Sequence, residues 1–346
     1  MTAIVPATND PPTLPRCLDA IAAAAERPNE TIVVTGPAGT EAVAMAPAGA
    51  DETAVVTRPA GAKETAVVTG PAGTGRAEQT AVITALAGAG PASARNRGAA
   101  AARGDVFVFV DADVVVHPDA FSRIRAAFAD GEVAAVFGSY DAEPVHDGAV
   151  SSFRNLLHHH VHQSSAGAAA TFWAGLGAIR RDAFEACGGF DADRFPRPSI
   201  EDIELGMRLT DRGLRVELDP RLLGTHLKRW SVAGMVRTDV LDRGVPWVAL
   251  LARRGASSTS LNLGWRHRLS ALSAVAAGVS LARRRPRELA AAGGALWVLN
   301  RDFYTLLWRR RGARHALAGV ALHALHLGCA AVAVPLGLAS ALRRRD

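Results

Sequence analysis

Residues 105–113 read Asp-Val-Phe-Val-Phe-Val-Asp-Ala-Asp. The run from Val106 to Val110 is entirely apolar and β-branched or aromatic, which predicts a strand that is covered on both faces of its sheet. Asp111 and Asp113 follow where this strand gives way to a loop, and strand alternation would point both carboxylates the same way, about 7 Å apart. Because open α/β sheets bind ligands at the carboxyl ends of their strands, this stretch predicts an α/β fold and the position of its site.

The acidic pair is a candidate cation site. Mg²⁺ and Mn²⁺ prefer a few carboxylates together with the phosphate oxygens of a substrate, so Asp111 and Asp113 suit a cation that also holds a diphosphate. An ordinary solvated strand end gives the same Asp-x-Asp pattern. The pair alone therefore leaves both interpretations open.

The composition favours a chain that works in a reducing compartment. Its 346 residues suffice for one large domain or two smaller ones. The cysteines Cys17, Cys187 and Cys329 lack the spacing of a zinc site or a disulfide framework, which fits the cytoplasm. No basic and apolar leader precedes the first strand-like residues, so a signal peptide is not expected.

Positive charge is concentrated in the last third of the chain. The net charge is +6, and from Arg253 onward 16 arginines stand against three acidic residues. These arginines flank apolar stretches instead of lying among aromatic or polar residues, as they would in a nucleic-acid-binding tail. Clusters such as 283–287 and 343–345 are typical of the cytoplasmic flanks of membrane segments, so we expect a membrane partner and no nucleic acid.

Alternating strands and helices in the first third predict a parallel sheet. The pattern places a strand at 2–5, an amphipathic helix at 14–25 and a second strand at 30–35. An imperfect repeat then interrupts it, and we interpret residues 40–80 as a repeat-rich insertion. The repeat has the form Thr-(Ile/Ala)-Val-Val-Thr-(Gly/Arg)-Pro-Ala-Gly and occurs at 31–39, 53–61 and 65–73.

Three apolar segments follow in the last third. Residues 269–282 are short for a membrane span, residues 288–308 suit an interfacial helix, and residues 316–342 exceed the roughly 20 residues that a span requires. An apolar core is the alternative for the longest segment. The aromatic residues expected near lipid headgroups are Trp297, Tyr304 and Trp308.

Three further segments carry side chains suited to chemistry. Glu201 and Asp202 begin a helical pattern, where a helix N-terminus favours ionised carboxylates, although many helices start in this way. Residues 173–181 form a small-residue loop beside Trp173. Residues 226–230, His-Leu-Lys-Arg-Trp, combine a possible ligand, two cations and a stacking surface.

In this order the motifs resemble those of the family 2 glycosyltransferases, which have the GT-A nucleotide-sugar-binding fold. The resemblance runs from Ile4 to about Trp247, apart from the repeat. The segments that carry it are Pro6-Ala7-Thr8-Asn9-Asp10, similar to the first nucleotide-binding loop; Arg95-Asn96-Arg97-Gly98, similar to the Arg-Asn-x-Gly helix start; Asp111-Ala112-Asp113, similar to the metal-binding Asp-x-Asp; Gly175 to Arg181, similar to the acceptor-side loop; Glu201-Asp202, similar to the catalytic pair; and His226 to Trp230, similar to the (Gln/Arg)-x-x-Arg-Trp signature of membrane-associated members.

The chain departs from the family pattern in two places. The second strand runs into Thr35-Gly36, where the family usually has acidic residues that contact the nucleotide base, so the base is left open. His226 replaces the first residue of the last signature, which favours a single-transfer enzyme over a polysaccharide synthase.

The resemblance implies an inverting, metal-dependent glycosyltransferase with a nucleotide-sugar donor and a lipid-borne or membrane-proximal acceptor. Asp202 would be the catalytic base, and Asp111, Asp113 and His226 would hold Mn²⁺ or Mg²⁺. Arg95 and Arg229 would contact the diphosphate, and Trp230 would stack on sugar or acceptor. The other substrate-binding residues implied by the resemblance are Pro6, Asn9, Asp10, Asn96, Asp111, Gly175 and Glu201.

The implied architecture is a Rossmann-like mixed sheet with flanking helices over residues 1–235, cytoplasmic, followed by membrane-associated helices over 236–346. Two alternatives stay open. A nucleotidyltransferase on a similar sheet would need neither Glu201-Asp202 nor the 226–230 segment. A noncatalytic membrane scaffold with the same fold is favoured by the missing acidic residues after the second strand and by the insertion.

Overall fold

The computed structural model describes residues 1–8, 11–36, 53–56, 66–69, 79–84, 88–254 and 264–343. They form two compact units. The first unit comprises Met1–Ser139 and Ala166–Leu227, and the second comprises Tyr140–Ser165 and Lys228–Asp346.

The described elements follow one another in chain order. The strands are β1 (Thr2–Ala7), β2 (Glu30–Thr35), β3 (Thr53–Val56), β4 (Ala66–Thr69), β5 (Gln79–Thr84), β6 (Val106–Val110), β7 (Val114–Val116), β8 (Val133–Tyr140), β9 (Gly167–Ala168), β10 (Leu176–Arg180) and β11 (Arg215–His226). The helices are α1 (Leu14–Ala22), α2 (Pro91–Ala101), α3 (Ala120–Ala127), α4 (Ala149–Gln163), α5 (Arg181–Ala186), α6 (Glu201–Asp211), α7 (Val232–Arg237), the π-helix (Thr238–Gly244), α8 (Val245–Arg254), α9 (Trp265–Ala282), α10 (Pro286–Leu299) and α11 (Arg301–Arg343).

The strands form one mixed sheet, as the sequence predicts. Its order is β3-β4-β5-β2-β1-β6-β10-β8-β11-β7, with β9 paired to β11. The strands β5, β2, β1 and β6 are parallel, while β10 runs antiparallel to β6 and β8. This change of direction falls beside β6, the strand that the acidic pair follows.

The central strand is buried as its composition requires. Phe107, Val108, Phe109 and Val110 are at most 1% exposed. Phe107 and Phe109 pack against the ring of Phe184 at centroid distances of 5.4 and 5.7 Å. The hydrophobic effect of burying these rings fixes β6 in the middle of the sheet and so positions the loop that follows it.

Two of the three repeats supply strands at the edge of the sheet. The strands β3 and β4 form an antiparallel pair, and β4 pairs antiparallel with β5. The first repeat provides most of β2 inside the sheet. The Pro-Ala-Gly turns of the second and third repeats lie outside the described residues.

The second unit is helical. Its core packs Phe153 of α4 against Phe303 and Tyr304 of α11. The expected interfacial helix over 288–308 is divided, because Asn300 leaves the helical region and donates a side-chain hydrogen bond to Ser270 Oγ at 2.9 Å. Tyr304 is buried at 1% exposure and so does not face headgroups.

Within the described residues, α11 is long and apolar enough to cross a membrane. Its regular geometry is broken at Gly312, where φ is 79° and ψ is 177°. The apolar part beyond that break contains residues 316–342, the segment whose sequence is long enough for a membrane span. Pro335 lies within it.

Gly98 shows how closely α2 approaches the sheet. A Cβ at this position would collide with the side chain of Ile4 in β1 and press on Val34 in β2. We expect Gly98→Ala to lower the free energy of unfolding by about 1–3 kcal/mol through overpacking, although alanine is the better helix former. Unfolding of the purified protein measures the change.

Gly131 provides the matched control, since a Cβ there meets no atom within 4 Å. Gly131→Ala should leave the midpoint of unfolding almost unchanged. Equal midpoints for the two variants would contradict the close packing of α2 on β1.

Candidate active site

The candidate site lies in the first unit, around the loop that follows β6. The Asp111 backbone N–H donates to the Gly175 carbonyl at 3.0 Å, and the Ala174 N–H donates to Asp202 Oδ2 at 3.1 Å. The loop before β10 therefore holds the acidic loop and the start of α6 together. A Cβ on Gly175 would collide with the indole of Trp173, so this loop requires glycine at that position.

Arg95 is buried between two carboxylates. Its Nη1 donates to Glu201 Oε1 at 2.9 Å, and its Nη2 donates to Asp111 Oδ1 at 2.7 Å. The side chains of Arg95 and Glu201 are each 6% exposed, while that of Asp111 is 31% exposed. One guanidinium thus joins α2, the loop after β6 and the start of α6.

The charges in this cluster shift the pKa of two of its members. Burial by itself would lower the pKa of Arg95, but the charges of Asp111, Glu201 and Asp202 outweigh burial and raise it. Burial raises the pKa of Asp111 against the opposing charge of Arg95, and Asp113 adds to the rise. Arg95 therefore stays protonated, and the carboxylates around it carry more negative charge than its one positive charge balances.

Asp113 has a different partner from Asp111. The chain turns between the two residues, since the Val114 N–H donates to the Asp111 carbonyl at 2.9 Å. Strand alternation therefore does not extend through this loop. Asp113 Oδ2 lies 3.5 Å from Nε2 of His226, which is buried at 8% exposure.

His226 reaches Asp113 through strand pairing. It ends β11 opposite Val114 in β7, and the Leu227 N–H donates to the Asp113 carbonyl at 2.8 Å. Because histidine stands at the first position of the last motif, an imidazole lies beside Asp113.

The donor set fits a cation that is shared with a substrate. Among the described residues no three His, Cys, Asp or Glu side chains are grouped to hold a metal alone. Asp113 and His226 offer one carboxylate and one imidazole. Mg²⁺ and similar ions are often held by one or two protein carboxylates plus phosphate oxygens, so two protein groups suffice when a diphosphate supplies the others.

The two acidic residues of α6 have different environments. Glu201 is 5% exposed, and its Oε2 also accepts from the Ser199 N–H at 2.9 Å. Asp202 is half-buried, and its Oδ1 accepts from the Ile203 N–H at 2.8 Å. The carboxylate of Glu201 therefore makes its contacts inside the unit, whereas that of Asp202 is partly accessible.

Asn96 organises a neighbouring turn. Its Nδ2 donates to the Phe190 carbonyl at 2.7 Å, and its Oδ1 accepts from the Phe190 N–H at 2.9 Å. Phe190 in turn lies 5.5 Å from the guanidinium of Arg95. Gly189, before it, has a φ of +70°, which favours glycine. Pro6 lies in β1 next to Val34 of β2.

Asn9 and Asp10 lie outside the described residues. Arg229 and Trp230 belong to the second unit, where Arg229 is exposed. The backbone N–H of Trp230 donates to Ser151 Oγ at 2.9 Å. Its ring lies 4.7 Å from the guanidinium of Arg154 and 4.3 Å from the ammonium of Lys228.

Sequence reasoning missed the groups that hold Arg154. Arg154 Nη1 donates to Asp239 Oδ1, and the other oxygen of Asp239 lies against His326 Nδ1, each at 2.7 Å. Burial by itself would raise the pKa of Asp239, but His326 and Arg154 outweigh burial and lower it. Their positions, spread from 154 to 326, form no local pattern.

Comparison with known proteins supports the resemblance. The sequence model of the family described as "Glycosyltransferase like family 2" matches residues 1–239. The mannosyltransferase PcManGT from Pyrobaculum calidifontis, solved in complex with GDP-Man and Mn²⁺, is 19% identical with a TM-score of 0.53 over 96% of this chain and 86% of that chain. Residues 1–349 of S. aureus TarS in complex with UDP-GlcNAc are 13% identical, with a TM-score of 0.46 over 98% and 91% of the two chains. No curated protein matches the chain.

Removal of Arg95 should leave two carboxylates without their cation. We expect Arg95→Met to lower the free energy of unfolding by about 3 kcal/mol, because Glu201 would become an uncompensated buried charge. Adding Glu201→Gln to this variant should recover part of the loss. Denaturant unfolding of the purified protein measures both.

Arg215→Met is the control for this pair of variants. Arg215 and Asp130 form an ion pair with 41% and 48% exposed side chains, so its loss should change the stability far less than the loss of Arg95. An Arg95→Met protein as stable as this control would refute the central role of Arg95.

The lowered pKa of Asp239 predicts a pH dependence. A carboxyl with a lowered folded-state pKa stabilises the fold fully above its unfolded pKa of about 4, and this contribution is lost as the pH falls through the folded value. The stability difference between the natural protein and Asp239→Asn should shrink as the pH falls below about 4 and the carboxyl of Asp239 gains its proton. A difference that does not shrink in this range would contradict the Arg154–Asp239–His326 network.

Proposed function

The chain belongs to glycosyltransferase family 2, and from this we propose that it is an inverting enzyme in which Asp202 deprotonates the acceptor. The observation that carries the proposal is the difference between the environments of Glu201 and Asp202 at the start of α6. Glu201 is engaged by Arg95, whereas Asp202 is half-buried and fixed by backbone N–H donors. A general base needs this combination of fixed position and access to a substrate.

The proposed reaction is a single displacement. The acceptor oxygen attacks the anomeric carbon from the face opposite the diphosphate and forms the new C–O bond. The bond from that carbon to the diphosphate breaks, and the acceptor proton passes to Asp202. Attack from the opposite face inverts the anomeric centre.

The proposed cation ligands are Asp113 and His226, with Asp111 beside them. When bound, a Mn²⁺ or Mg²⁺ ion would neutralise the negative charge that develops on the leaving diphosphate. The proposal is supported by the 3.5 Å approach of His226 to Asp113 and by the Mn²⁺ bound in the mannosyltransferase of the same fold.

Arg95 has a positioning role in this proposal. It is buried at 5% exposure, and its two Nη atoms donate to Asp111 and Glu201, so it holds these two carboxylates in place. As the family resemblance implies, Arg229 stays a proposed contact for the diphosphate, and Trp230 is proposed to stack on sugar or acceptor.

The proposed acceptor is lipid-borne or membrane-proximal, with the catalytic unit on the cytoplasmic face. The long apolar helix α11 and the arginines around it support this placement. A chain anchored in this way meets acceptors within the bilayer at high local concentration.

Asp202→Asn should lower kcat by about 10²- to 10⁴-fold, the usual contribution of a general base, and leave donor binding intact. Release of nucleoside diphosphate from GDP-mannose and UDP-N-acetylglucosamine, with polyprenyl phosphate as acceptor and Mn²⁺ present, measures the rate. Asp211→Asn, at the far end of α6, is the control and should keep full activity. Unchanged turnover in Asp202→Asn would overturn the assignment of Asp202 as the base.

Binding of a nucleoside diphosphate with Mn²⁺ should stabilise the protein by roughly 2.7 kcal/mol at 100 times the dissociation constant. Thermal unfolding with GDP or UDP should show a metal-dependent shift that Asp113→Ala and His226→Ala each reduce. The matched control is Asp193→Ala, because Asp191-Ala192-Asp193 repeats the Asp-x-Asp spacing in another loop. A shift that survives at Asp113→Ala would overturn the ligand assignment.

A further inference from the structure

The helix α9 has a reversed distribution of side chains. Its buried residues are Ser270, Ala274 and Ser280, at most 7% exposed. Its large apolar residues point outward, with Leu272 at 67% and Leu281 at 66% exposure. A surface helix of a water-soluble protein shows the opposite pattern, with large apolar side chains toward the core.

Most large apolar residues of α11 beyond its break at Gly312 also point outward, although Leu322 and Leu327 are buried. Leu317 is 70% exposed and Leu342 is 65% exposed. The small buried residues of this segment are Ala316, Gly319, Ala333, Gly337 and Ala341.

Two histidines of α11 make polar contacts inside the unit. His323 Nδ1 lies 3.0 Å from the Tyr304 hydroxyl, and His326 Nδ1 lies 2.7 Å from Asp239 Oδ2. In membranes, helices pack through small residues, polar groups face the bundle interior, and large apolar side chains face lipid.

The hairpin of α9 and α10 is packed on α11. Ala274 of α9, Leu296 of α10 and Leu327 of α11 form one buried cluster. The outward residues Trp297 and Val298 of α10 are 44% and 66% exposed. The two helices of the hairpin and α11 therefore share one apolar outer surface.

Charged residues border this hairpin at both ends. Between Arg268 and Arg283 the chain has no charged residue, a stretch of about 21 Å at the helical rise per residue. At the turn, Arg283, Arg284 and Arg285 are exposed. At the other end Trp265 is 76% exposed.

We infer that the α9–α10 hairpin is embedded in a phospholipid bilayer beside α11, with its arginine turn among anionic headgroups. This inference deepens the proposed membrane placement and rests on it. The uncharged band contacts acyl chains, long arginine side chains reach from its ends to headgroup phosphates, and tryptophan suits the interface. Length and composition alone do not identify this hairpin, because among the described helices they indicate α11 as a possible membrane span and not α9 or α10.

Site-directed spin labelling of the full chain tests this inference. The protein carries Leu272→Cys or Arg284→Cys and is reconstituted in phosphatidylcholine vesicles that contain about one third phosphatidylglycerol. Oxygen reports the acyl region, and a water-soluble nickel chelate reports water and headgroups. The label at 272 should collide mainly with oxygen, and the label at 284 mainly with the chelate.

Arg221→Cys, on the first unit, is the water-exposed control, since 76% of its side chain is accessible. The native cysteines are buried, and unsubstituted protein gives the labelling background. The inference is overturned if the label at 272 behaves like the one at 221. It is also overturned if that label meets neither reagent, because a protein surface would then cover the helix.

Two further measurements separate this inference from the proposed function. Removing phosphatidylglycerol should increase the mobility of the label at 284, and no change would refute the anionic headgroup contact. Thermal shifts with GDP or UDP and Mn²⁺ on the same samples report the donor site independently. Lost lipid contact with an intact donor shift would therefore reject only the hairpin inference.

Discussion

The ion pairs of Arg95 connect three segments that are far apart in the chain. Asp111 is 16 residues from Arg95 and Glu201 is 106 residues from it, yet both carboxylates meet the same guanidinium. Because a buried arginine is stable only with its partners in place, this contact couples the folding of α2, the acidic loop and α6. The partly accessible position of Asp202 follows from it, since Glu201 takes the inward position at the start of the helix.

The sequence predicts the frame of the site more completely than its internal arrangement. The apolar run at 106–110 identifies the central strand because burial on both faces demands such residues. Which carboxylates meet Arg95, and that Glu201 is the buried member of its pair, depend on tertiary contacts that no local pattern encodes. The place of His226 beside Asp113 likewise depends on the pairing of β11 with β7.

The second unit shows where composition is a poor guide to structure. The length and apolar composition of α11 identify it as a possible membrane span. The orientation of α9 becomes visible only in the structure, where its small residues are buried and its leucines are exposed. The polar contacts of Arg154, Asp239 and His326 meet inside this unit beside the ring of Trp230. An apolar exterior with an interior polar network is the arrangement expected of helices whose solvent is lipid.

The stereochemistry of transfer tests the central claim most directly. The purified protein would be given an α-linked nucleotide sugar, and the anomeric configuration of the isolated product would be determined by NMR from the one-bond carbon–proton coupling at the anomeric carbon. A single displacement assisted by Asp202 predicts a β-linked product. An α-linked product would contradict the account, because retention requires a different set of catalytic groups.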